Sequence, residues 1–285
     1  MAKTIITAAL TGAVTPAGYK IPETPQQIAD EAYDAWKLGA AVVHLHMRAD
    51  DGLGAMDKEK FRETIRLIRS HKDCDVIINC TSSGASPEHP ATDDERMAHH
   101  RELSGIEMGS YDAGSFNWMP GGVFVNSPQF LEKLGDLYME KGIKPELECF
   151  NPESVEDVFN VLVPAGVLEE PVSLSFVMGM DRISQGSISF SEENLDFMIK
   201  KLPKDRFVNF STISIGAKHH VPGMAMTVLK GGGARVGMED NIYYAPGELL
   251  KSNAQMVERA VRIIRELGME VATPDEAREI LKLGR

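Results

Sequence analysis

Strand-like and helix-like segments alternate eight times, and this constrains the fold more than any other feature of the chain. Short β-branched or apolar runs fall at 4–10 (TIITAAL), 41–47 (AVVHLHM), 76–82 (VIINCTS) and 106–111 (IEMGSY). Four more follow at 146–150 (ELECF), 172–178 (VSLSFVM), 207–213 (FVNFSTI) and 233–238 (GARVGM). Helical, charge-patterned stretches separate them at 25–38, 57–70, 92–103, 128–142, 153–163, 191–201 and 222–230, with a last crossover at 248–267. Thr24-Pro25 supplies an N-cap with proline at the first helical position, and Thr92 with Glu95 three residues on spells a capping box. A further helix is expected after Thr273-Pro274. Eight strand–helix units in this length predict an α/β chain folded as a (β/α)8 TIM barrel. The rival, a doubly wound open sheet, lacks its fingerprint, because the first strand–helix turn reads Leu10-Thr11-Gly12-Ala13-Val14 rather than GxGxxG. No linker, repeat or low-complexity segment interrupts the pattern. The expectation is one barrel domain over residues 1–285 with a C-terminal helical extension.

Charge and composition narrow the function. A net charge of −12 argues against nucleic-acid binding, which needs a basic face, while leaving room for a small anionic substrate held by a few placed cations. Three cysteines (Cys74, Cys80, Cys149) with no CxxC fit a reducing compartment better than a disulfide framework. No signal-peptide pattern opens the chain, and no apolar run approaches the roughly 20 residues of a membrane helix. A soluble cytoplasmic protein with no membrane partner is the expectation.

In a barrel the reactive side chains gather at the C-terminal ends of strands and on the loops beyond. At the second strand, His44 and His46 are two residues apart, so both rings leave the same side. They can share one metal ion, with zinc suited to imidazoles plus a carboxylate. They fit equally well as a hydrogen-bonded core histidine and a surface neighbour. The eighth strand ends Arg235-Val236-Gly237-Met238-Glu239-Asp240-Asn241. There Glu239 could complete a metal shell and Asp240 could act as a base, with Arg235 tuning it or holding substrate; a solvated salt bridge is the plainer alternative. On the fifth strand Glu146 and Glu148 share a face. Glu148, nearer the top, is the better functional candidate, and Glu146 could be deep and salt-bridged.

Weaker signals surround these. Asn79-Cys80-Thr81-Ser82-Ser83-Gly84 offers hydroxyls and backbone N–H groups to an anion, as does Ser110 on the fourth strand. Lys218, in the loop after the seventh strand, could meet a phosphate-bearing cofactor or simply be exposed; adjacent His219 and His220 make a poor chelate. Lys230-Gly231-Gly232-Gly233 looks like a phosphate cradle but falls on the opposite face, where helix termination explains it. His99 and His100 fall on a predicted helix and are expected to be exposed.

Taken together, His44-Leu45-His46-Met47-Arg48, Asn79 to Gly84, Pro145-Glu146-Leu147-Glu148-Cys149-Phe150 and Arg235 to Asn241 resemble, in this order, the β-keto acid cleavage enzymes. HxHxR combined with RVGxEDN is specific where each piece alone is not, and the match covers nearly the whole chain. The resemblance implies a (β/α)8 barrel, a homotetramer and a catalytic Zn²⁺. It also implies a reaction between a β-keto acid and acetyl-CoA that yields acetoacetate and a new CoA ester. Position by position, it makes His44, His46 and Glu239 the metal ligands, Asp240 the base and Arg235 its partner. It places Ser82, or Ser83 one position on, with Gly84 and Ser110 in the substrate-carboxylate site, and Glu148 in the family's Glu-x-Phe segment. Val14 stands where the member acting on an amino-substituted substrate has an acid, which implies an uncharged or apolar substrate side chain here, or a cation recognised by other groups. Arg48 could help with anions or form a structural salt bridge. A metal-dependent barrel hydrolase is the alternative, weakened because strands five and six carry no histidine. A non-catalytic anion-binding barrel is the third reading.

Overall fold

The structure, a computed structural model, describes residues 3–13, 19–118, 122–180 and 183–284. Eight parallel strands form its central sheet: β1 Ile6–Ala9, β2 Val42–Leu45, β3 Ile77–Cys80, β4 Met108–Asp112, β5 Lys144–Cys149, β6 Ser173–Met178, β7 Asn209–Ser214 and β8 Ala234–Val236. They are hydrogen-bonded in the order β7-β6-β5-β4-β3-β2-β1-β8. The Gly233 N–H donates to the Phe210 carbonyl at 2.8 Å, bringing β8 back against β7 and closing the barrel.

Helices follow the strands: α1 Pro25–Lys37, α2 Lys58–Ser70, α3 Asp93–Glu102, α4 Pro128–Lys141, α5 Pro152–Asp157, α6 Glu192–Lys200, α7 His220–Leu229 and α8 Asn253–Glu266. The N-terminal signals work as expected. Thr24 and Thr92 accept hydrogen bonds from the N–H groups of Gln27 and Glu95, whose side chains return the bond to the cap backbone. A last helix, α9 Pro274–Leu281, is capped the same way by Thr273 and Glu276. Its Ala277 and Leu281 pack on Ile5, Val42, Ile77 and Met108, so the C-terminal extension plugs the floor of the barrel. The Lys230-Gly231 stretch ends α7, as expected.

Alternation along each strand sorts the side chains. Ile6, Val43, Ile78, Leu147, Leu174 and Val236 face the helices in the main apolar core. The alternate positions face inward, and in the middle of the barrel many are polar: His44, Asn79, Ser110, Glu146, Ser175 and Arg235 are all buried. Such a layer survives only if its members satisfy one another or hold a ligand.

Candidate metal centre and active site

At the C-terminal rim, His44 and His46 leave β2 on the same side and bring their Nε2 atoms within 3.1 Å of each other. The Glu239 Oε1 atom, from the loop after β8, lies 3.5 Å from His44 Nε2 and 3.4 Å from His46 Nε2. A tetrahedral ion with bonds of about 2.0–2.1 Å spaces its ligand atoms roughly 3.3 Å apart, so the three groups fit one divalent cation. The second Glu239 oxygen, Oε2, is buried without a hydrogen-bond partner. Among the described residues this is the group of His, Cys, Asp and Glu side chains able to hold a metal.

Packing behind the ligands fixes them. Gly12 has φ +69°, and a Cβ there would stand 2.7 Å from Glu239 Cγ, so the loop after β1 lies flat on the carboxylate arm. Arg48 holds that loop from below. Its Nε donates to Thr11 Oγ1 at 2.8 Å, and its Nη2 donates to the Thr11 and Gly12 carbonyls at 3.0 and 2.7 Å. Arg48 is therefore a buried buttress and not a rim cation. A Cβ on Gly84 would come 2.9 Å from His46 Nδ1, which sets the loop after β3 against the second imidazole.

Arg235 organises the charge. Its Nε and Nη2 donate to Asp240 at 3.1 and 3.2 Å, and Nη2 also donates to Glu239 Oε1 at 2.6 Å. Its Nη1 lies 3.6 Å from Glu146 and 3.9 Å from Glu148. Four carboxyl groups, two buried and two nearly so, thus face one guanidinium, an excess of negative charge that a bound cation would balance. Glu146 is deep and satisfied. Asn79 Nδ2 and Ser175 Oγ donate to it, the latter at 2.6 Å, and Ser175 continues to Ser211 Oγ at 2.8 Å. Burial opposes its ionisation, but Arg235, His44 and these donors hold its pKa below the usual carboxylate value.

The other acids titrate upward. Burial raises Asp240, with Arg235 as the main opposing influence. Burial and the neighbouring Asp112 push Glu148 well above the ordinary range. Asp112, its register partner on β4, is also raised by burial, against the pull of Arg96, Ser83 and Glu148 beside it. Two carboxyls side by side favour holding one proton between them. Burial lowers His44 to about 4, so its ring is neutral near neutral pH, as a metal ligand would need to be.

These groups line one end of a pocket of about 170 Å³. Thr81, Ser83, Asp112, Glu148, Arg235, Glu239 and Asp240 lie there with His46. The remaining wall is apolar: Phe116, Trp118 and Phe124 on a small three-stranded sheet over the rim, with Phe150, Val177, Met180, Ile213 and Ile215.

Most of the expected site is brought together, with exceptions. Ser83 reaches the pocket. Ser82 does not, being fully buried with its N–H on Ser110 Oγ at 3.0 Å. Ser110 is likewise spent on Ser82 behind the wall. Val14 lies outside the described residues. Lys218 is exposed on the rim. Asp112 was not singled out by sequence, although it lies two residues beyond Ser110 on the same face. The expectation that His99 and His100 are exposed is wrong: both are fully buried, because α3 turns them toward the ends of the strands, where backbone carbonyls await their N–H groups.

The beta-keto acid cleavage enzyme family model matches residues 3–283. The chain belongs to the β-keto acid cleavage enzyme family. It is 39% identical over 285 residues to a 3-keto-5-aminohexanoate cleavage enzyme of Fusobacterium nucleatum, covering 99% of each chain. It is 36% identical to the enzyme of that name from Acetoanaerobium sticklandii, over the full length of both. A 3-dehydrocarnitine:acetyl-CoA trimethylamine transferase of Rhizobium meliloti is 34% identical over 98% of this chain and 96% of its own. The fold matches the solved apo structure of ObcA with a TM-score of 0.81 at 19% identity, over 93% of this chain and 66% of ObcA. No helix among the described residues is long and apolar enough to cross a membrane.

Proposed function

We propose that this chain is a zinc-dependent acyl-exchange enzyme that converts a β-keto acid and acetyl-CoA to acetoacetate and a new acyl-CoA. In the balanced reaction, the bond between the keto carbon and the methylene carbon breaks. The methylene carbon, with its carboxylate, joins the acetyl carbonyl, and CoA passes to the acyl group left behind. The observation that carries this reading is the convergence of His44, His46 and Glu239 beside the Arg235-bound Asp240 at one pocket, in a chain of this family.

His44, His46 and Glu239 would hold the ion, whose chemistry when bound is Lewis-acid polarisation of the keto oxygen. The protein's own residues supply the rest. Asp240 is held by two hydrogen bonds from Arg235 and raised by burial, which suits a group that takes a proton and returns it. Ser83 lines the pocket, where its hydroxyl, paired with Asp112, could turn to donate to the substrate carboxylate. The Glu148–Asp112 pair, raised together, holds one proton between its carboxyls at the pocket wall. The apolar wall excludes water and accepts an uncharged substrate side chain, in keeping with Val14.

The test is to load the protein with zinc and incubate it with acetyl-CoA and a panel of β-keto acids bearing alkyl, amino or carboxylate side chains. Acetoacetate and the matching acyl-CoA should appear together, most rapidly for the alkyl members. Free CoA released without acetoacetate would favour the hydrolase instead. The homotetramer that accompanies this reading is tested by light scattering against the chain mass of 31.3 kDa.

A further inference from the structure

Helix α3 sends a second set of buried polar groups to the site from outside the barrel. Arg96, His99 and His100 occupy i, i+3 and i+4 of the helix, a single inward stripe, and none is exposed. They meet three successive carbonyls, at the last residue of β3 and the two beyond it. His100 Nε2 lies 3.2 Å from the Cys80 oxygen, His99 Nε2 lies 2.9 Å from the Thr81 oxygen, and Arg96 Nε donates to the Ser82 oxygen at 2.7 Å. A carbonyl only accepts, so each imidazole carries its proton on Nε2.

The donors are themselves anchored. Arg96 donates to Asn126 Oδ1 at 2.5 Å and to the Val125 carbonyl at 3.1 Å, and it lies 3.8 Å from the Phe130 ring centre. The His99 ring stacks on Phe61 with centroids 4.0 Å apart. His100 also approaches the Tyr138 hydroxyl at 3.3 Å, and that hydroxyl donates to the Ser110 carbonyl on β4. The other side of the loop is equally occupied. Thr81 N–H donates to the Leu45 carbonyl, Ser82 N–H to Ser110 Oγ and Ser83 N–H to Thr81 Oγ1, each at 3.0 Å; Gly84 N–H meets Met56 Sδ at 3.1 Å. Every N–H from Thr81 to Gly84 therefore has a partner, which leaves this loop little freedom to move.

We propose that Arg96, His99 and His100 are positioning residues: a carbonyl clamp that holds residues 80–84 so that the Ser83 hydroxyl faces the substrate and Gly84 lies against His46. Neither histidine lines the pocket beside the candidate metal ligands, and Arg96 lines an adjoining cavity that shares Ser83, Ala85, Trp118 and Phe124 with it, so the two histidines act through the loop. The catalytic part of this proposal rests on the functional reading above; the clamp itself does not.

His99→Phe removes the N–H donor and keeps a ring against Phe61, and His99→Gln restores a donor. In His99→Phe, amide hydrogen exchange over residues 80–85 should accelerate at least tenfold while exchange in the core of β5 and β6 is unchanged. The KM for the keto acid should rise about tenfold with kcat within threefold and zinc content intact, and His99→Gln should recover much of both. A purely structural histidine would instead lower thermal stability and leave KM alone. Unchanged exchange over 80–85, an unchanged KM, or equal losses in the Phe and Gln variants would overturn the clamp. If His99→Phe does not fold, Arg96→Lys carries the same two measurements at the Ser82 carbonyl. If wild type forms no acetoacetate from any keto acid, the functional reading falls, while the exchange measurement still decides whether the clamp exists.

Discussion

Two pairs of buried histidines serve this protein in opposite ways. His44 and His46 are two residues apart and converge on each other and on Glu239. His99 and His100 are adjacent on a helix, with ring centres 3.9 Å apart, and each gives its Nε2 proton to a different carbonyl. Burial alone does not distinguish a ligand from a structural imidazole. The partner does: a carbonyl demands a proton on the facing nitrogen, whereas a shared carboxylate between two facing nitrogens marks a place for a cation.

The sharpest way to break this contrast is to remove one member of each pair. His46→Ala should abolish stoichiometric metal, measured by elemental analysis, and lower acetoacetate formation by roughly 10³-fold or more, since several kcal/mol of charge stabilisation go with the ion. His99→Phe should keep its metal. Loss of metal from both variants would erase the difference between the pairs. Asp240→Asn comes next. It should bind metal normally and lose about 10²–10⁴-fold in turnover, as expected for removal of a general base; a fully active variant would take the base away from Asp240.

The loop between the pairs links them, and Gly84 is the point of contact. A methyl there would stand 2.9 Å from His46 Nδ1 and 3.0 Å from Thr81 Cγ2. Gly84→Ala should therefore weaken metal binding about 10–100-fold, the scale of losing a group that orients a ligand. Competition with a chelator measures this, and unchanged affinity would mean that the ring has room to yield.

Much of this was legible before any coordinates. The eight strands and their helices follow from side-chain periodicity and capping signals, and the candidate metal set can be read from HxH at one strand end and Glu239-Asp240 at another. Pairing those ends needs only the closure of β8 beside β1, with β2 next. Asp112 could have been found by carrying the two-residue period one step beyond Ser110. The α3 stripe was visible as Arg96, His99 and His100 at i, i+3 and i+4, but a helix this rich in charge reads as solvent-facing. The aromatic wall could not be read, because Phe116, Trp118 and Phe124 meet the pocket only through pairing among the loops above the barrel.

Acid should act on the buried α3 histidines through stability. His99 and His100 are held neutral by burial, His100 with its pKa lowered to about 3. An unfolded histidine titrates near 6.5. Their contribution is therefore complete above about pH 6.5 and is lost progressively as pH falls below it, because only the unfolded chain gains the proton. At pH 5 the loss is about 2 kcal/mol for His100. Urea unfolding of the metal-loaded protein at pH 8 and pH 5 should show this slope, and His100→Gln should remove about one imidazole's share. A variant with the wild-type slope would mean that His100 titrates alike in both states.

The smallest effect tests the direction of one side chain. Ser82 and Ser83 are neighbours in the bend after β3, and their side chains have different surroundings. The Ser82 Oγ lies 3.5 Å from Ser110 Oγ behind the wall, whereas Ser83 faces the pocket. Ser83→Ala should raise the KM for the keto acid up to about tenfold through loss of one hydrogen bond to a carboxylate, with kcat little changed. Ser82→Ala should leave KM within about twofold and cost up to about 1 kcal/mol of stability. The reverse outcome would place the Ser82 hydroxyl at the substrate, turn the loop over by one residue, and take from the α3 clamp the orientation it is built to hold.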